Sequence, residues 1–219
     1  GLYLYLPIFS AWVERATKSQ KELFLAIWAL STFLPYFNEY VSKYAFGTCE
    51  WNSFGLFYYF AGFNGYLLVG HYVRHHINWN AATTWGISAT LMIAGAVATY
   101  FGYKHMLALP SPTPEQVELF WTYCTPNVAA MSIAWLLIMK LTHIESHFCK
   151  KALQHLTTCG FGIYMVHYFF IRPAHDLAVA LHLPTALRIP LSAVAMLIIS
   201  WLIVGIIRKA LGRHARWIV

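Results

Sequence analysis

The chain has 219 residues, of which only 11% are charged, 59% are hydrophobic and 17% are aromatic. A soluble domain carries roughly 25% charged residues, so this composition has too little charge to coat a water-facing surface. The net charge of +7 falls between long apolar runs, which points to a membrane face and gives no reason to invoke nucleic acid.

In chain order the uncharged runs are 1–13, 23–38, 51–73, 77–103, 119–139, 152–171 and 189–207. A helix needs about 20 apolar residues, roughly 17–25, to cross the hydrocarbon core. The last five runs meet that length; 23–38 reaches it by borrowing flanks through Asn38 and Tyr40. Lipid offers the backbone no partners, so spans must be helices or closed barrel strands. These runs are too long and too continuously apolar to alternate as barrel strands. The expected fold is therefore all-α, a polytopic transmembrane helix bundle of six full helices plus the end of a seventh, forming a single domain over 1–219. The first run, GLYLYLPIFSAWV, begins at Gly1 without the basic n-region or the cleavage site of a signal peptide. It reads as the second half of a helix in an N-terminally truncated chain.

Local signals mark boundaries along the chain. Trp51, Tyr58, Tyr59, Trp85, Tyr100, Trp121 and Tyr123 cluster toward run ends, as an interfacial aromatic belt does. Pro110, Pro112 and Pro114 predict an irregular loop. Thr125-Pro126 suits a helix cap followed by proline at the first helical position, and Pro190 can start the last helix in the same way. Four cysteines imply no disulfide framework. Cys49 and Cys124 share one side of the expected topology, so they are either one bridge or two free buried thiols.

Basic residues give a direction. One set of alternate loops holds Arg15, Lys18, Lys21, Arg74, Lys140, Lys150, Lys151, Arg208, Lys209, Arg213 and Arg216, which is most of the 15 in the chain. Lys43, Lys104, Arg172 and Arg188 lie on the other side, together with Glu39, Glu50, Glu115, Glu118 and Asp176. The positive-inside rule then places the C-terminus in the cytoplasm and the protein in the cell (inner) membrane.

Few residues carry chemistry. His143 and His147 are spaced i, i+4, and with His155 and His75-His76 they invite a metal reading. They lie in basic loops with Glu145 as the only acidic neighbour, so solvated interfacial histidines and no metal site are expected. His167 falls about four residues before Arg172, roughly 6–8 Å below the expected outer helix end at ~1.5 Å per residue. Gly160, Tyr164, His167 and Ile171 follow helical spacing on one face, with the glycine allowing close helix approach. The His–Tyr pair either lines a site or anchors the helix at the interface. Asn64 lies near the middle of 51–73 among Gly62, Gly65 and Gly70, where it either bonds a neighbouring helix or lines a polar path. Glu39, Glu50 and Arg172 either line a polar entrance or are solvated loop charges.

The run CGFGIYMVHYFFI (159–171) resembles the S-F-G-I-Y-L-V-H-P signature of the acyltransferase-3 family of integral membrane acyltransferases, with Tyr168 where that family often has proline. YYFAGFNGYLLVGHYV (58–73), GLYLYLPIFSAWVERA (1–16) and SWLIVGIIRKALGR (200–213) are similar, in the same order, to helices of the family's branch of surface-polysaccharide O-acyltransferases. The resemblance implies ten membrane helices, of which these would be the last seven. It also implies transfer of an acyl group, usually acetyl from acetyl-CoA, to a hydroxyl of a polysaccharide or lipid-linked sugar, with no tightly bound cofactor. The family's principal base would lie upstream of Gly1. His167 and Tyr164 would line the site, while Arg74, Lys140, Lys150 and Lys151 would attract the acyl-CoA phosphates. Expected partners are the lipid bilayer, acyl-CoA and a glycan acceptor. The alternative from another class is a transporter or flippase-like carrier with a polar path past Asn64 and His167. A retinal photoreceptor is excluded, because 189–207 contains no lysine for a Schiff base.

Overall fold

A computed structural model describes residues 2–42, 44–49, 51–182 and 184–212. Gly1, Lys43, Glu50, Arg213 and Arg216 lie outside the described residues. The chain forms α1 (Leu2–Arg15), α2 (Lys18–Ser31), α3 (Leu34–Tyr40), α4 (Phe63–His76), α5 (Ala81–Leu107), α6 (Pro114–Glu118), α7 (Pro126–Leu141), α8 (His147–Val166), α9 (Tyr168–Ala180) and α10 (Thr185–Leu211). Among the described residues the only extended pairing is an isolated bridge between Cys49 and Asn52, so the fold is all-α. The chain divides into two compact units, Gly1–His143 and Ile144–Val219.

Three stretches, Ala81–Leu107, Pro114–Leu141 and Thr185–Leu211, are long and apolar enough to cross a membrane. In the most hydrophobic, Thr185–Leu211, mean hydropathy reaches 2.4 while only 11% of the window is buried by protein. Apolar surface of that extent left outside the protein requires lipid around it. The belt aromatics Trp51, Tyr59 and Tyr123 are indeed among the most exposed large side chains.

In the first unit, antiparallel helices pair acidic with acidic ends and basic with basic. Tyr36 of α3 bonds Asn127 at the start of α7, while Lys21 of α2 bonds His71 near the end of α4. Glu39, Glu115 and Glu118 therefore gather at one end and Arg15, Lys18, Lys21, Arg74 and Lys140 at the other. The core between α1, α2, α4 and α7 is made by Phe9, Val13, Phe24, Trp28, Leu68, Val69, Val73, Ala129 and Leu137. The second unit is a hairpin in which α10 runs back along α9 and α8, sealed by Cys159, Ile163 and Val204.

Four sequence expectations are corrected. The run 51–73 is not one helix: residues 51–62 make turns, and α4 starts only at Phe63. Gly62, the residue before α4, has φ +72° and ψ −149°, a conformation that only glycine adopts freely, so the chain turns sharply there. The run 152–171 is split between α8 and α9, and α9 continues past Arg172 to Ala180. Pro190 lies inside α10, which begins five residues earlier at Thr185 behind an extended Pro184. Residues 142–146 are not helical, so His143 and His147 do not share a helix face. By contrast, α7 begins at Pro126 behind an extended Thr125, as the sequence signal predicts. Cys49 and Cys124 are both free thiols, with Cys124 buried.

Gly65 makes the closest helix approach in this core. A Cβ there would collide with the indole of Trp28, which is 3% exposed and pinned by its Nε1–H donating to the Gly62 carbonyl at 2.9 Å. Because that ring has nowhere to go, Gly65→Ala is expected to destabilise the first unit by about 1–3 kcal/mol, read as a lower melting temperature in detergent.

Candidate functional site

His167 stands where the helix of the second unit is interrupted. Its Nδ1 donates to the carbonyl of Tyr164 at 2.5 Å. That carbonyl is the ordinary helical acceptor for the N–H of Tyr168, so the imidazole competes with the backbone ladder at the point where α8 gives way to α9. A carbonyl only accepts, so Nδ1 carries the hydrogen and the neutral ring keeps its lone pair on Nε2. The Tyr164 ring lies 5.6 Å from the imidazole, centroid to centroid.

The depth of His167 differs from expectation. Helix continues for 13 residues beyond it in α9, or roughly 20 Å at 1.5 Å per residue, so Arg172 does not mark the end of the helical stretch. Ser192 Oγ donates to the Ala174 carbonyl at 3.3 Å, and Arg208 donates to the Thr158 carbonyl. Halfway between these two ties the antiparallel register sets Val166 level with Ser200. Ser200 is fully buried, and its hydroxyl has no partner among the described residues. It is a polar group at the level of the interruption that sequence reasoning missed, because a serine in an apolar run carries no periodic signal.

The strip Gly160–Tyr164–His167–Ile171 keeps its common face, but that face does not pack on another helix. Tyr164 is 68% exposed, and a Cβ at Gly160 would meet nothing within 4 Å. The hairpin instead seals on Cys159, Ile163 and Val166. His155 is also tied within the hairpin: Trp201 Nε1–H donates to its Nδ1 at 2.8 Å. Arg172 is exposed within α9, one residue before Pro173, rather than in a loop.

At the acid-rich end of the first unit, Glu39 is exposed and accepts a hydrogen bond from Gln116 Nε2 at 2.7 Å. It borders a cleft of about 940 Å³ between α3, the segment that follows it and the cap of α6. Nearby, Asn127 is 6% exposed and fully used: its Oδ1 accepts from Tyr36 at 2.5 Å, and its Nδ2 donates to Thr99 Oγ1 at 2.7 Å and to the Phe120 carbonyl at 2.6 Å. Asn64 is half-buried in the first turn of α4, not at mid-helix, because the helix starts behind Gly62.

At the basic end, Lys140 is occupied by structure. Its ammonium donates to the carbonyls of Val73 at 2.7 Å, Arg74 at 3.5 Å and Ile77, closing the C-terminus of α4. Arg74, Lys150 and Lys151 are exposed. Tyr72 donates to Glu22 Oε1 at 2.6 Å, and this bond, aided by Lys18, holds the Glu22 carboxyl below the usual glutamate range. Among the described residues no group of three His, Cys, Asp or Glu side chains is placed to hold a metal.

Lys140→Met should leave the three carbonyls of α4 without a donor and lower stability by about 1–3 kcal/mol in thermal melts. A carboxyl with a lowered folded pKa stabilises above the unfolded pKa and loses that contribution as pH falls. Tyr72→Phe is therefore expected to melt below the parent protein at neutral pH, with the gap closing as the pH drops below about 4.3.

No curated protein and no solved structure matches the chain. The acyltransferase-3 family, described as an acyltransferase domain, matches residues 1–205. With nearly the whole sequence covered and helices apolar enough to cross a membrane, the chain belongs to the acyltransferase-3 family of membrane acyltransferases.

Proposed function

We propose that this membrane acyltransferase moves an acyl group, acetyl in the simplest case, from acyl-CoA to a hydroxyl of a surface polysaccharide or lipid-linked sugar. The acyl-CoA would act as co-substrate and not as a bound cofactor. The protein would lie in the inner membrane with its C-terminus in the cytoplasm. Exposed Arg74, Lys150 and Lys151 would then meet the anionic CoA from that side, while Lys140 stays engaged with α4. In the reaction the acceptor oxygen attacks the thioester carbonyl, its proton leaves to a base, and the CoA thiol departs.

The observation that carries this reading to particular residues is the His167–Tyr164 bond. By fixing the hydrogen on Nδ1, it presents Nε2 as an acceptor for a substrate hydroxyl, with the Tyr164 phenol beside it as a donor. Two variants separate the roles. His167→Asn retains an N–H for the Tyr164 carbonyl but loses Nε2, and His167→Ala loses both. Both are expected to insert into the membrane and to lower acyl transfer from labelled acyl-CoA by about 10²–10⁴-fold. Full activity in His167→Asn would return the residue to a purely structural part.

A further inference from the structure

The cleft beside Glu39 carries acceptor oxygens in its wall. Glu39 gives one carboxylate oxygen to Gln116, whose own Oε1 is taken by the backbone N–H of Thr113 at 3.0 Å. That amide is held at both ends, which fixes Glu39 and leaves its second oxygen for another donor. Asn38 lines the same cleft, and its Oδ1 is closed off without a partner among the described residues. The terminal torsion of asparagine is soft, so a small rotation turns this oxygen toward an incoming hydroxyl. Tyr40 and Tyr44, 56% and 63% exposed, add two phenol rings to the wall. At about 940 Å³ the cleft is at the upper end of the size of small-molecule sites. Its complement is a ligand with several O–H donors and an apolar C–H face to lie against an aromatic ring. A saccharide has both.

We infer that this cleft holds the saccharide part of the acceptor, with Asn38 and Glu39 as the hydroxyl-accepting residues that set which sugar is taken. The inference rests on the acyl-transfer reading above and extends it from the reaction to its selectivity. These two residues position the acceptor and do not touch the reacting atoms.

Asn38→Leu tests it, because leucine keeps the branching at Cγ and removes the amide. An oxygen reserved for ligand predicts an unchanged or higher melting temperature, an acceptor KM raised about tenfold, and kcat retained at saturating acceptor. A lower melting temperature with an unchanged KM would make Asn38 structural and overturn the proposal. Independently, a diazirine-bearing disaccharide is cross-linked to the complete protein in lipid nanodiscs and the adducts are mapped by mass spectrometry. Labelling within 35–49 and 113–116, competed by the plain disaccharide, supports the cleft; labelling only elsewhere rejects it. Cross-linking needs no turnover. A protein labelled there that transfers no acyl group keeps the saccharide site and loses the acyl-transfer reading, whereas acyl transfer with labelling elsewhere does the reverse.

Discussion

Hydrocarbon cannot hydrogen-bond, so a helix break within it must find other partners for its backbone groups. Three of this protein's interruptions are closed by a side chain that donates to a backbone carbonyl. Trp28 serves Gly62 before α4, Lys140 serves the last turn of α4, and His167 serves Tyr164 between α8 and α9. The chain thus gains bends while these carbonyls keep a donor. The same device sets up chemistry. A histidine that heals a helix break must present its other nitrogen elsewhere.

Buried polar residues stand in two states, and the first unit holds both, since its Ser88 is fully buried without a partner among the described residues. In the first, the buried polar groups around Asn127 are satisfied by one another and brace the acid-rich end. In the second, Ser200 is buried without a partner, level with the interruption at His167. A satisfied network rigidifies, whereas an unsatisfied buried hydroxyl carries a desolvation penalty that a ligand or a neighbouring group can remove.

How much of this could be read in the sequence depends on what each signal measures. An uncharged run reports compatibility with lipid, and where the run is also conformationally uniform it is a helix: 81–103 of the run 77–103 lies in α5, and 189–207 lies within α10. The run 51–73 fails that test because a glycine at positive φ breaks it, and hydropathy is blind to torsion angles. The run 152–171 fails because a side chain, not a proline or a charge, interrupts the ladder. Motif and spacing single out Tyr164 and His167. The same signals miss Asn38, Ser200 and the Trp201–His155 bond, since each depends on a partner or an enclosure distant in sequence. Lys140 was legible as a cation but not as a helix cap, because its acceptors lie 63 to 67 residues away.

The fit of Trp28 against Gly65 constrains how this sequence can diverge. The indole fills the space that any side chain at 65 would need, and its N–H is committed to the turn at Gly62. Positions 28, 62 and 65 therefore change together or not at all. A descendant carrying alanine at 65 must accept a smaller ring at 28, and with that ring it loses the donor that secures the turn. Inheritance of the three as a block, visible as covariation among relatives, is what such a lock leaves in the record of a family.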